Sequence, residues 1–454
     1  MRTLTEVIRL ADHAARLWVA GFWWLGAWFL LGTAGHLGLL WASAAAGPRP
    51  ALATALFITA VLLQVGSLVL MIHSVVPLMR TPLAVRAGAA SRPDRIPATV
   101  WEHESPLQVL TMAIGPFLVV YAAWQLVDQE VVRLYVRNEI VYGNALGVNR
   151  ERWSVNLDWW RFYLAVAAGA WLLQRLGSPL ERTLRGRART VTAVVMTVCE
   201  AVWTFCSFLA LFTLVPKAAD WVSHRRAVVW LTERWYALVD LLPDLRLPFG
   251  LTLPTALLDL GRWVSTDLWP AFGDAVALPL MWVALTATVV GWREFRARDV
   301  VAVVRGEAPT ADDDVAPVRR TARGAVISAA RAATADLRDK YVPILTALGL
   351  VLRTGARFLG AYLLLSALLR FVMTWLLIGL KRWLGTGDLE WWLATATPIQ
   401  VVHDLLLTTA GVALHVAAFD RVMASATGAP WTRLGGGGGQ PQQQTGDVSQ
   451  TLGG

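Results

Sequence analysis

The chain has 454 residues, of which 56% are hydrophobic and only 16% are charged, and its formal net charge is +9. Soluble domains are about 25% charged, so this composition excludes an ordinary soluble protein and predicts a polytopic membrane protein. A strong positive charge would suggest a nucleic-acid partner in a soluble protein. In a membrane protein it is expected in loops beside anionic lipid headgroups, so we expect no nucleic-acid partner.

Eight apolar runs are long enough to cross a hydrocarbon core of about 30 Å as helices. In chain order they are Leu17–Ala42, Leu52–Met79, Leu107–Val127, Leu157–Leu176, Val191–Val215, Ala275–Trp292, Phe358–Leu380 and Ile399–Phe419. The sequence therefore predicts an all-α polytopic membrane protein with about eight transmembrane helices.

The segment between the fifth and sixth spans, residues 216–272, is rich in tryptophan and is interrupted by Pro243, Pro248 and Pro254. Proline breaks a helix interior, and indole rings prefer the headgroup level of a bilayer. We therefore expect short interfacial helices on the outer surface, which either anchor the neighbouring spans or form a small cap.

The predicted organisation follows from these spans. Residues 1–215 form a first bundle of five spans, and 273–292 form the sixth. Residues 293–357 form a basic connector with an interfacial helix, 358–424 hold the last two spans, and 425–454 form a glycine- and glutamine-rich disordered tail. In the connector, Arg353 and Arg357 would share one helix face and reach anionic lipid headgroups.

Lysine and arginine are more numerous in the stretches on the side of the N-terminus than on the opposite side of the predicted spans. By the positive-inside rule, this distribution predicts that the N-terminus and the C-terminus are both cytoplasmic. The basic residues are almost all arginine, a composition typical of a GC-rich bacterial genome, and we expect the protein in a bacterial cytoplasmic membrane.

Glu200 and Arg370 are the ionisable residues that lie deepest in the predicted spans. At 1.5 Å per residue, both lie about 15 to 18 Å along their helices, near the middle of the hydrocarbon core. A lone charge there costs at least about 2.5 kcal/mol. We therefore expect a structural ion pair between them, a proton- or ion-coupled site, or two groups that face a water-filled cavity.

Further polar candidates occur in the first, second and last spans. His403 and Asp404 lie about 18 Å from His415 along one helix, too far to share a metal ion, and adjacent positions argue against a His403–Asp404 dyad. His36 with His403, or His73 with His415, would match in depth and allow a metal or proton-relay site. We expect polar groups satisfied between helices instead, with no metal ion and no cofactor.

Glycines recur along the first span at Gly21, Gly26, Gly32, Gly35 and Gly38. Small residues on one face let the backbones of two transmembrane helices approach closely. The pattern therefore predicts a close helix contact on this side of the first span.

Motifs for ATP hydrolysis, serine esterases, zincin proteases and c-type haem attachment do not occur. The first hypothesis is a transport-type protein with a polar seam that contains Glu200 and Arg370. The alternative is a non-catalytic membrane scaffold that binds other proteins through its outer segment or its connector. A lipid-modifying intramembrane enzyme is the third hypothesis, and a non-enzymatic role is favoured. Anionic membrane lipids are the expected partners in each case.

Overall fold

The computed structural model describes residues 2–46, 49–79, 160–183, 187–243, 252–290 and 348–427, together with six positions between 110 and 120. In this part of the chain 94% of the residues are helical and none forms a strand, so the all-α prediction is confirmed there. In chain order the helices are α1 (Arg2–Ala45), α2 (Pro50–Val75), α3 (Trp160–Thr183), α4 (Arg187–Ser223), α5 (Arg226–Asp240), α6 (Leu253–Trp263), α7 (Trp269–Phe272), α8 (Leu278–Val289), α9 (Ala356–Leu384) and α10 (Leu389–Thr427).

Six helices of the described ranges are long and apolar enough to cross a membrane. They are Leu4–Ala45, Ala51–Leu78, Val194–Leu211, Leu253–Val289, Ala356–Leu384 and Ala394–Ser425, and each overlaps a predicted span. The predicted count of eight is not reached here, for two reasons. The described part of the run Leu157–Leu176, from Trp160 onward, lies in α3, whose apolar stretch is interrupted by Arg161 and Arg175. Most of the run Leu107–Val127 lies outside the described residues.

The contact between α1 and α2 depends on the predicted glycine face. A Cβ atom added at Gly32 would overlap the side chain of Ser67, and one added at Gly35 would overlap Leu63. Among the described residues, no atom lies within 4 Å of a Cβ added at Gly38, so this glycine does not take part in the contact between α1 and α2. Two of the five glycines therefore account for the closest approach of α1 to α2.

The predicted sixth span begins much earlier than its apolar run. α6, α7 and α8 form one helical rod, Leu253–Val289, joined by π-helical segments at Val264–Leu268 and Gly273–Ala277. Part of the segment predicted to be interfacial thus belongs to this rod. Pro270 and Pro279 each follow a π segment within two residues. Because a π segment already changes the hydrogen-bond pairing of the helix, these prolines do not end the rod.

The arrangement predicted for Arg353 and Arg357 is wrong. A short helix covers residues 348–353, and Gly355 adopts a φ of 103° before α9 begins. Because this left-handed residue separates two helices, the four-residue spacing does not place the two arginines on one helix face. The rest of the connector and the tail beyond residue 427 lie outside the described residues.

Both ends of the described chain lie at the same end of the helix bundle. Glu6 Oε1 of α1 lies 3.7 Å from Nη2 of Arg421 in α10, and Arg357 and Phe358, at the start of α9, line the same pocket as Glu6. We call this end of the bundle the terminal end. The opposite end is where α9 ends and α10 begins.

Candidate functional site

A cavity of about 730 Å³ lies between α1, α2, α8, α9 and α10, and we call it the central cavity. Binding pockets for small molecules have volumes of about 300–1,000 Å³, so the space suffices for a small solute. Its wall combines apolar side chains with polar and charged ones. The polar and charged lining side chains include Thr33, His36, Gln64, Ser366, Arg370, Lys381, Thr397, Gln400, Asp404, Thr408 and His415.

Arg370 is held at the wall of this cavity by a neutral partner. Its Nη1 donates to the backbone carbonyl oxygen of Asp274 at 3.2 Å. Asp274 lies in the second π segment, a type of helix irregularity that often occurs at functional sites. Within the described residues no carboxylate lies within ion-pair distance of Arg370, so its charge is available to the cavity.

Asp404 is held by two side chains of its own helix. Gln400 Nε2 donates to Asp404 Oδ1 at 2.7 Å, and His403 Nδ1 lies 3.0 Å from the same oxygen. The argument against a contact between His403 and Asp404 is therefore wrong. Helical side chains lean toward the N-terminus, so the Asp404 carboxylate reaches back over the turn that carries Gln400 and His403.

Tyr362 connects three helices behind His415, which lines the central cavity. Tyr362 Oη donates to the carbonyl oxygen of Pro279 at 2.6 Å, and His415 Nδ1 lies 2.9 Å from the same Oη. Since the only hydroxyl proton is used toward Pro279, His415 donates its Nδ1–H, and Nε2 of the neutral ring is left as an acceptor. The ring of Trp282 stacks on the imidazole, with centroids 5.8 Å apart and planes 4° from parallel.

Two buried polar atoms of lining residues have unused hydrogen-bonding capacity. Thr33 Oγ1 and Gln64 Oε1 are shielded from solvent, and neither has a hydrogen-bond partner within the described part of the chain. Buried polar atoms are nearly always satisfied in proteins, by protein groups or by bound water. Because both atoms are shielded, they are not part of the polar surface that faces the central cavity.

The sequence predicted seven intramembrane polar candidates, and the structure brings four of them together. The candidates that line the central cavity are His36, Arg370, Asp404 and His415. The candidates that do not line it are Glu200, His73 and His403.

The predicted ion pair between Glu200 and Arg370 is not formed. Glu200, on α4, accepts a hydrogen bond from Gln174 Nε2 of α3 at 3.2 Å, whereas Arg370 contacts Asp274. The two side chains match in predicted depth, but α4 and α9 do not pack extensively against each other. Equal depth is not sufficient, because the order of helices around the bundle decides which side chains meet.

The two histidine pairs that match in depth are not formed either. His36 Nδ1 donates to the carbonyl oxygen of Ala60 at 3.0 Å, and His403 contacts residues of its own helix. The hydrogen-bond partner of His415 is Tyr362, not His73. Among the described residues, no group of three His, Cys, Asp or Glu side chains could hold a metal ion.

Sequence reasoning missed a buried polar contact between the ends of the chain. His13 Nε2 lies 2.9 Å from Asp420 Oδ2, and the side chains are only 2% and 0% exposed. The acidic Asp420 directly after the last apolar run was the available signal. Its partner lies 407 positions away in the sequence, so no spacing rule could identify it.

No protein-family model matches this chain, and comparisons with curated proteins and with solved structures find no match. The central cavity is therefore the feature of the structure that indicates a function.

Proposed function

We propose that this protein is a transport-type integral membrane protein whose central cavity binds a small polar solute between membrane-crossing helices. The observation that carries the proposal is the polar lining of this cavity inside a set of apolar helices. Polar and ionisable side chains within a membrane are expensive, and they commonly mark the path of a solute or an ion.

The extent of the cavity along the bundle also favours transport. Its lining residues on α10 run from Ala396 to His415. At 1.5 Å per residue this stretch is about 28 Å long, close to the thickness of a hydrocarbon core of about 30 Å. A scaffold protein requires only packed helices, whereas a transport protein requires such a polar path along them.

The charges of the lining residues indicate the chemistry of the solute. Arg370 and Lys381 contribute two positive charges, and Asp404 contributes one negative charge. Nε2 of the neutral His415 ring adds a hydrogen-bond acceptor. The lining therefore suits a small solute that is anionic or rich in acceptors and that also carries hydrogen-bond donors.

We further propose that the protein resides in a bacterial cytoplasmic membrane with both termini in the cytoplasm. The excess of lysine and arginine on the side of the termini supports this orientation. The contact of Glu6 with Arg421 is consistent with it, because it places both ends of the described chain on one side. The same proposal includes the two predicted spans beyond the six described helices, and the predicted position of the tryptophan-rich segment on the outer surface.

The proposal is tested by the access of a thiol reagent to the cavity, which does not require the solute to be known. Both native cysteines, Cys199 and Cys206, are free and buried, and they are first replaced by alanine. Thr408, which lines the cavity, is then changed to cysteine and exposed to a membrane-impermeant methanethiosulfonate in right-side-out and inside-out vesicles. A transport path that opens to each side in turn gives labelling of Thr408→Cys from both sides.

The matched control is Ala417→Cys, which lies on the same helix and is fully buried. It should not be labelled from either side. Labelling of Thr408→Cys from one side only, or from neither side, would overturn the transport proposal. In that case the cavity would be a closed or one-sided cleft, and the scaffold hypothesis would be favoured.

A further inference from the structure

A second cavity, of about 420 Å³, lies at the terminal end of the bundle, and we call it the arginine pocket. It is formed by the first turns of α1, the start of α9 and the last turns of α10. Its charged and hydroxyl-bearing lining residues include Glu6, Arg9, Thr354, Arg357, Arg421 and Ser425. It is separate from the central cavity, with which it shares no lining residue.

Arginine is the most frequent residue in the described lining of the arginine pocket. Three of the described lining residues are arginines, Arg9, Arg357 and Arg421, and one, Glu6, carries a carboxylate. Glu6 Oε1 lies 4.0 Å from Arg9 and 3.7 Å from Arg421, distances longer than those of a strong charge-assisted hydrogen bond. Arg357 makes no ion pair with a described residue, so its guanidinium group is suited to an additional anion.

The chemistry of the side chains indicates which anion. Guanidinium groups match the geometry of phosphate oxygens and bind them in pairs, and hydroxyl groups such as those of Thr354 and Ser425 donate to phosphoryl oxygens. The first turn of α9, a helix of 29 residues, also lies at the pocket, since Arg357 and Phe358 line it, and the N-terminus of a helix favours a nearby anion.

The level of the pocket matches that of lipid headgroups. The apolar span on α9 begins at Ala356, next to Arg357, and the apolar span on α10 ends at Ser425. The arginine pocket therefore lies where the hydrocarbon core gives way to the headgroup region, in which lipid phosphates are found. Phe358 gives the pocket an apolar wall on the side toward the core.

We propose that the arginine pocket binds a phosphoryl anion, supplied either by the headgroup of an anionic phospholipid or by a soluble phosphate. Arg9, Arg357 and Arg421 coordinate the phosphoryl oxygens. Glu6 positions Arg9 and Arg421, and Arg357 carries the charge that the described ion pairs leave unmatched. The sequence prediction for Arg357 as a headgroup ligand is retained in this proposal, whereas Arg353 is outside the pocket.

The experiment measures binding to the full-length protein in detergent by microscale thermophoresis. The probes are the short-chain lipids dihexanoyl phosphatidylglycerol and dihexanoyl phosphatidylcholine, and inorganic phosphate. The variants are Arg357→Gln and Arg9→Gln, both on exposed side chains, and the matched control is Arg353→Gln, an exposed arginine four positions from Arg357. A basic residue near a membrane surface contributes about 1 kcal/mol, so each pocket variant should bind the phosphatidylglycerol probe about fivefold more weakly.

The three probes separate the sources of the anion. If the anion is a lipid headgroup, the phosphatidylglycerol probe binds more tightly than inorganic phosphate. Equal or tighter binding of inorganic phosphate indicates a soluble anion. The proposal is overturned if Arg353→Gln weakens binding as much as Arg357→Gln, or if neither pocket variant differs from the wild type. Gel filtration and circular dichroism of each variant confirm that it is folded.

Discussion

The contact of Gly32 with Ser67 offers a sharp test of how α1 and α2 are held together. An alanine at position 32 would place its Cβ 2.2 Å from Ser67 Oγ and 2.3 Å from Ser67 Cβ, much closer than van der Waals contact allows. Ser67 Oγ also donates to the carbonyl oxygen of Gln64 at 2.8 Å, which restricts the movement of this side chain. The extra methyl group can be accommodated only by separating the helices.

The expected size of the effect follows from comparison with Gly38→Ala. Replacing glycine by alanine within a helix contributes about 1 kcal/mol of helix propensity at either position. Only position 32 adds the cost of overpacking, which is about 1–3 kcal/mol. We therefore expect Gly32→Ala to be less stable than Gly38→Ala by about 1–3 kcal/mol, since Gly38 has no atom within 4 Å of the added Cβ.

The assay is unfolding by sodium dodecyl sulfate in mixed micelles, followed by circular dichroism. Ser67→Gly removes both atoms that overlap the new methyl group, so the double variant Gly32→Ala, Ser67→Gly should recover most of the lost stability. Equal stability of Gly32→Ala and Gly38→Ala, or failure of Ser67→Gly to compensate, would refute the close contact between α1 and α2.

The same unfolding assay tests two further predictions. Asp420→Ala should cost about 1–3 kcal/mol because it removes the hydrogen-bond partner of the buried His13 Nε2. The control is Asp12→Ala, which removes a pair with Arg16 whose side chains are more than half exposed and should cost less than about 1 kcal/mol. Similar losses of stability in Asp420→Ala and Asp12→Ala would contradict a stabilising role of the buried contact between His13 and Asp420. The losses of unfolding free energy in Glu200→Gln and Arg370→Gln should add to within about 0.5 kcal/mol in the double variant, because these side chains have different partners. A coupling energy above about 1 kcal/mol would show that the two side chains form an ion pair after all.

The fold could be predicted from the sequence where a single helix carries the signal. Each of the six apolar helices overlaps a predicted span, because the length and hydropathy of a run are local properties. Prediction from the sequence was less accurate where the backbone departs from the hydrogen-bond pattern of a regular α-helix. The π segments of the Leu253–Val289 rod allow prolines to be accommodated, and Gly355 separates the two arginines that the spacing placed on one face.

The candidate site could be predicted only in part. The free-energy cost of placing an ionisable side chain in a membrane identified Arg370, Asp404 and His415 as candidate site residues. All three line the central cavity. The same reasoning also selected Glu200, which lies elsewhere and contacts Gln174. Depth along a helix can be calculated from residue number, but the position of that helix around the bundle cannot.

The sequence by itself determined that the described part of the chain is all-helical and has helices long and apolar enough to cross a membrane, because the length and hydropathy of an apolar run are local properties. The sequence also identified the ionisable residues within the apolar runs as the residues to test, since each charge there is energetically costly. Only the tertiary structure decided which charges meet. The contact of His13 with Asp420, the backbone partner of Arg370 and the grouping of Arg9, Arg357 and Arg421 each depend on helices distant in sequence. These contacts follow from how helices pack side by side, which hydropathy does not encode.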